Sequence, residues 1–109
     1  MKLAFIFSAL AGVAFADAPE ITAVTVKDGR IDVTLVHPDT GWDHYADGWR
    51  VEDADGNVLG LRVLGHPHVN EQPFTRSLSI SGPLPDIIYV RARCNVDGWS
   101  ETVFEIATP

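Results

Sequence analysis

Side chains able to bind a transition metal are few in this 109-residue chain, which contains four histidines and one cysteine. The segment His66-Pro67-His68 favours extended backbone around its proline, so both imidazoles project to the same side and could give a metal two nitrogen ligands. The alternative is a pair of solvated loop histidines and an inert buried thiol. The candidate metal ligands are His37, His44, His66, His68 and Cys94.

Charged residues close to these donors could hold them in place. A carboxylate often accepts the second ring N–H of a ligating imidazole. Asp97 follows Cys94 by three residues, and Arg76 lies where it could pair with Glu71 or Asp97. We therefore treat Glu71, Asp97 and Arg76 as candidates for contacts around the site. The remaining loop carboxylates could have the same role or be solvated: Asp39, Asp43 and Asp47.

The elements that must position these residues are β-strands. Ile31, Val33 and Leu35 alternate with polar residues, which is typical of a half-buried strand. Asp55-Gly56 between two apolar runs is a hairpin signal. These patterns predict an all-β, seven-stranded sandwich of immunoglobulin-like type. The predicted strands are 21–26, 31–35, 49–52, 58–64, 74–80, 87–94 and 102–107.

The candidate ligands all fall at one end of this predicted sandwich. Alternate connections between sequential antiparallel strands lie at opposite ends, and three connections at the same end contain every histidine: 37–48, 65–73 and 95–100. His37 continues the core-facing register of Leu35, and Cys94 continues that of Ala92, so both should point inward at the rim. Loops on a rigid scaffold commonly carry function, and the sequence therefore predicts a metal site at this rim.

The first residues predict export. Lys2 precedes a short apolar run, and Ala14-Phe15-Ala16 has small residues where a signal peptidase requires them. The run is shorter than the roughly 20 apolar residues that span a bilayer, so we expect no membrane span. The residue directly after the cleavage point is not a cysteine that could carry a lipid. We expect residues 1–16 to be a cleaved signal peptide, and residues 17–109 to form one periplasmic or secreted domain.

The charge of the chain excludes one class of partner. Its formal net charge is −7, and an acidic surface repels the phosphate backbone of a nucleic acid. A metal ion and a protein partner remain compatible with this charge.

The C-terminal half resembles a fibronectin type III domain. Pro85 precedes Tyr89 by four residues, and the following strand leads to an Asn-x-x-Gly turn at Asn95 and Gly98, as in that family. Such modules mostly bind partners and catalyse nothing. The resemblance implies a non-catalytic interaction module whose loops contact a protein or glycan partner.

A second resemblance bears on the candidate ligands. His37-Pro38, His44-Tyr45 and the run from Cys94 through Asn95 to Asp97-Gly98 are similar to motifs of the desulfoferrodoxin and superoxide reductase iron domain. That family binds ferrous iron through four histidines and one cysteine on an immunoglobulin-like sandwich. The resemblance implies ligand roles for His37, His44 and Cys94.

The match to that iron domain is incomplete. Asp97 stands where the family has a histidine, and residues 17–30 contain no histidine to replace the family's N-terminal ligand. Three of the five ligands therefore transfer, and His66 and His68 could supply replacements. We expect an exported protein that binds iron or copper, with a redox or metal-carrying role, and the sequence leaves open whether it is an enzyme.

Overall fold

The computed structural model describes residues 18–109, which form a two-sheet β-sandwich. The described strands are β1 (Glu20–Lys27), β2 (Arg30–Val36), β3 (Ala46–Glu52), β4 (Val58–Val63), β5 (Phe74–Ser79), β6 (Ile87–Cys94), β7 (Gly98–Trp99) and β8 (Phe104–Ala107). Strands β1, β2 and β5 form one antiparallel sheet in the order β1-β2-β5, and the other sheet has the order β4-β3-β6-β7 with β8 also paired to β6. The prediction of an all-β sandwich is confirmed.

The predicted number of strands is wrong, because this part of the chain has eight strands where the sequence indicated seven. The extra strand is β7, whose two residues pair with Cys94 and Arg93 of β6. Gly98 has a φ of +78°, a conformation that glycine adopts without steric cost, and this allows the chain to reverse directly after β6. Two residues are too few to show a strand's alternation, so the sequence pattern did not reveal β7.

The sequence also predicts a cleaved signal peptide and no membrane span. The predicted signal peptide, residues 1–16, lies outside the described residues, so its cleavage stays a prediction. Across residues 18–109, we find no helix capable of crossing a membrane.

The inward faces of the two sheets form one apolar core. Alternate residues of β2 and of β6 are buried, as the period of two in a strand requires. Trp49 of β3 is the largest fully buried side chain. His37 follows β2 in its buried register, and Cys94 ends the buried register of β6, and both side chains are enclosed. The core therefore extends at one rim into a patch of potential metal donors.

Side-chain amides join the three connections at this rim. Asn95 accepts the backbone N–H of Tyr45 at 2.9 Å. Gln72 accepts the backbone N–H of His37 at 3.0 Å and donates to the carbonyl of His68 at 2.8 Å. These contacts link the β2–β3 connection both to the turn after β6 and to the β4–β5 connection, so the rim is held together independently of any ion.

A buried carboxylate joins β3 to β6 away from this rim. Glu52 accepts hydrogen bonds from Arg91 Nε at 2.8 Å and from Arg50 Nε at 2.7 Å, and only 3% of its surface is exposed. The hydrogen bonds from Arg91 are the main cause that lowers the pKa of Glu52 below its usual range, against the opposing effect of burial. The same contact raises the pKa of Arg91.

Glu52→Gln should lower the free energy of unfolding by about 2–3 kcal/mol at neutral pH, because it leaves two partly buried guanidinium groups without their anion. The pKa of Glu52 is lower in the folded state than in the unfolded chain. Its stabilisation is therefore complete above the unfolded pKa of about 4.3 and is lost as the pH falls through the folded pKa. Urea denaturation at neutral and at acidic pH should show that the difference in free energy of unfolding between variant and wild type becomes smaller in acid.

Glu105→Gln is the matched control for this prediction, because Glu105 is an exposed glutamate on β8. We expect the control to change stability by less than about 0.5 kcal/mol. A gap for Glu52→Gln that stayed constant from neutral to acidic pH would contradict the electrostatic explanation.

Candidate metal centre

The imidazole of His37 is held in one orientation by a buried carboxylate. Its Nδ1 lies 2.6 Å from Oδ1 of Asp39, and neither side chain is exposed to solvent. A carboxylate can only accept, so Nδ1 of His37 carries a hydrogen, and in the neutral ring Nε2 is the basic nitrogen. Nε2 is buried and has no hydrogen-bond partner within residues 18–109. Buried polar atoms are normally paired, so this nitrogen has the properties of a metal-ligand atom.

Asp39 connects three parts of the rim. Besides His37, it accepts the backbone N–H of Ala46 at 2.9 Å and the backbone N–H of His68 at 2.8 Å. The carboxylate thus fixes the end of β2, the start of β3 and the β4–β5 connection relative to one another. A carboxylate that holds the second nitrogen of an imidazole is a recurrent feature around metal ligands.

Cys94 and His44 supply the other two potential donors. Nε2 of His44 lies 3.6 Å from Sγ of Cys94. The backbone N–H of Asp97 donates to the same sulfur at 3.2 Å, and Oδ2 of Asp97 lies 3.7 Å from it. Cys94 is fully buried, whereas His44 is half-buried and Asp97 is exposed. The turn between β6 and β7 therefore places one polar hydrogen against the sulfur.

Together these contacts bring two nitrogens and one sulfur into a single cluster. The potential ligand atoms of His37, His44 and Cys94 all lie within 4.8 Å of one another, and no other such group of three occurs between residues 18 and 109. The two imidazole rings meet edge to face, with centroids 4.8 Å apart. Imidazole and thiolate suit iron, copper and zinc rather than hard cations such as Mg²⁺ or Ca²⁺. The residues present thus fit a transition-metal ion.

The structure does not bring His66 and His68 into this cluster. Nε2 of His68 lies 2.8 Å from Nη2 of Arg76, and the ring stacks on Phe74 with centroids 3.8 Å apart. A guanidinium group can only donate, so Nε2 of His68 accepts this bond and Nδ1 carries the hydrogen. Nε2 of His68 is therefore occupied by Arg76, and its Nδ1, which carries the hydrogen, is buried without a partner within residues 18–109 and is not part of the three-donor cluster. His66 is exposed, with its Nδ1 3.0 Å from the carbonyl of Pro67.

Burial is the main cause that lowers the pKa of His68, and the positive charge of Arg76 acts in the same direction. The ring is therefore neutral at physiological pH, as the hydrogen bond from Arg76 requires. Glu71 lies 3.6 Å from Arg76 and 3.9 Å from His68, so two of the three predicted supporting residues belong to this second cluster. Of these three residues, only Asp97 contacts the three-donor centre.

Comparison with solved structures identifies a known fold. Two variants of a superoxide reductase (neelaredoxin) from Ignicoccus hospitalis each match this chain with a TM-score of 0.50, at 20% and 21% sequence identity. Each match covers 94% of this chain, and 87% and 91% of the respective solved chains. The fold is that of superoxide reductases. At these identities the likeness concerns the fold, and the resemblance to a fibronectin type III domain stays a prediction.

Sequence comparison gives a partial relative. A Halomicrobium mukohataei protein named "Putative lipoprotein" is 53% identical over 54 residues. The match covers 50% of this chain and 26% of the relative, so it spans about a quarter of that protein's length. No family model matches the chain.

Proposed function

We propose that this protein is an exported metal-binding β-sandwich whose rim holds one iron or copper ion in a redox or metal-carrying role. The observation that carries the proposal is the convergence of two imidazoles and one thiol within 4.8 Å. The chain shares the fold of solved superoxide reductases, and the resemblance of its His37, His44 and Cys94 motifs to that iron domain supports a metal at this rim. Export is supported by the apolar N-terminal run of the sequence and by the name of the lipoprotein relative.

Each residue has a defined part in the proposed centre. His37 would bind through Nε2, because Asp39 occupies its Nδ1, while Cys94 would bind through its thiolate. In the bound centre the backbone N–H of Asp97 would donate to that sulfur. Burial of His37 and Cys94 keeps water away from two of the donors, and half-buried His44 is the donor nearest to solvent. A bound iron or copper ion would supply one-electron chemistry.

Superoxide reduction is not part of this proposal, because the donors differ from the ligand set of the iron domain that the sequence resembles. The chain has four histidines in total, and only two of them reach the cluster. His68 is committed to Arg76, and His66 lies in the solvent. The proposed metal centre therefore has fewer imidazole ligands than that iron domain.

Metal analysis of the mature protein, purified without an affinity tag, tests the proposal. We expect close to one transition-metal ion per chain, and we expect its loss in the double variant His44→Ala, Cys94→Ser. His66→Ala is the matched control, since it removes an imidazole outside the cluster and should leave the metal content unchanged. Added metal should also raise the free energy of unfolding, by about 2.7 kcal/mol at a free concentration of 100 times Kd.

A metal-free protein that gains no stability from iron, copper or zinc would contradict the proposal. Equal metal loss in His66→Ala and in the double variant would show that binding occurs elsewhere on the surface.

A further inference from the structure

The 109 residues offer few imidazole and thiol donors to the proposed centre. Residues 1–17 contain neither histidine nor cysteine, so the N-terminal segment brings no further imidazole or thiol. Within residues 18–109, His68 is bonded to Arg76, and His66 is exposed and is not part of the cluster. The imidazole and thiol donors that this sequence brings to an ion at the rim are therefore those of His37, His44 and Cys94.

The spacing of two of these donors limits the coordination geometry. Nε2 of His44 and Sγ of Cys94 are 3.6 Å apart. With metal–nitrogen and metal–sulfur bonds of about 2.05 and 2.3 Å, this separation subtends an angle of about 110° at a shared ion. Such an angle suits a trigonal or tetrahedral ion, whereas neighbouring ligands of an octahedral ion are separated by about 90°. This angle is compatible with an ion of low coordination number, and the three donor atoms, which lie within 4.8 Å of one another, need to draw slightly closer to share it.

From these observations we infer that the centre is a copper site with two imidazole ligands and one thiolate ligand, an inference that rests on the metal-binding function proposed above. Two histidines and one cysteine, together with a weak axial ligand, form the copper sites of electron-transfer proteins. Copper(II) also binds nitrogen and sulfur donors more tightly than zinc or iron(II) does. His37 is held by Asp39, and Cys94 ends a buried strand, so both ligands are positioned before an ion arrives.

A competition experiment tests this inference. Metal-free mature protein is incubated with equimolar Cu²⁺, Zn²⁺ and Fe²⁺ under argon, and the retained metals are quantified after gel filtration. We expect copper to exceed each competitor by at least about tenfold. The copper(II) form should have an intense visible absorption band from thiolate-to-copper charge transfer. Cys94→Ser should lose that band, and His66→Ala should keep it.

Each outcome has a separate meaning. Preferential retention of zinc or iron would overturn the copper inference while leaving the proposed metal centre intact. Retention of no metal would overturn both. Copper bound without the visible band, and to the same extent in Cys94→Ser, would place the ion away from the thiol and also overturn the inference.

Discussion

Asp39→Ala should destabilise the protein by about 3–5 kcal/mol and weaken metal binding at the same time. The carboxylate accepts three hydrogen bonds and is not exposed. Removing it leaves Nδ1 of His37 and the backbone N–H groups of Ala46 and His68 buried without an acceptor. Each such group costs about 1–3 kcal/mol, which accounts for the size of the expected effect. Urea denaturation of the metal-free protein measures the change in free energy of unfolding without any contribution from metal binding.

Asp39→Asn separates the charge of this residue from its shape. The bonds from His37 and Ala46 both end on Oδ1, which an amide oxygen can replace. The bond from His68 ends on Oδ2, where asparagine would place an NH₂ group against an N–H donor. We therefore expect an intermediate loss of about 2–3 kcal/mol. The imidazole of His37 is still held, but by a weaker acceptor, so metal affinity should fall about 10–100-fold.

Asp43→Asn is the control for both variants, because Asp43 lies in the same connection but is exposed and contributes only its backbone carbonyl, to Asn95. It should alter neither stability nor metal affinity. If Asp39→Asn lowered stability but left metal affinity at the wild-type value, Asp39 would be a structural residue with no part in positioning His37.

The parts of the fold that the sequence predicted best are strands with one buried face. In β2 and β6 every second residue is buried, so apolar and polar residues alternate strictly enough to be recognised. Strand β4 was found from its apolar composition, yet Val58, Leu61 and Val63 are each more than half exposed. Apolar composition alone could not tell which residues of β4 face the core and which face solvent, because apolar side chains on this edge strand are also exposed.

Site residues that continue a strand could be predicted from the sequence, whereas those in the connections could not. His37 and Cys94 prolong strands of known register, so their burial at the rim followed from alternation alone. His68 lies in a connection, where its orientation depends on stacking against Phe74 and on the bond from Arg76. Asp39 was grouped with the other loop carboxylates, because nothing in the local sequence tells a buried carboxylate from a solvated one. The contacts that distinguish these residues are made by segments distant in the chain.

Trp49→Ala should have the largest effect on stability among apolar substitutions, about 3–5 kcal/mol, because it removes the largest fully buried side chain of the core. A domain of this size is typically stable by only 5–15 kcal/mol, so the variant should be close to unfolding at room temperature. Trp49→Phe should cost much less, about 1–2 kcal/mol. It keeps an aromatic ring and removes Nε1, which has no hydrogen-bond partner within residues 18–109.

Trp42→Ala provides a control of the same residue type, because Trp42 is 66% exposed and its carbonyl contact to Asn95 does not involve the side chain. We expect it to change stability by less than about 0.5 kcal/mol in the same urea titration. Similar losses for Trp42→Ala and Trp49→Ala would contradict the burial of Trp49. Because β3 pairs Trp49 with Ala92, two residues before Cys94, a core loosened by Trp49→Ala should also release the bound metal at a lower urea concentration. The centre and the core would then unfold as one unit, as expected where a donor continues the register of a core strand.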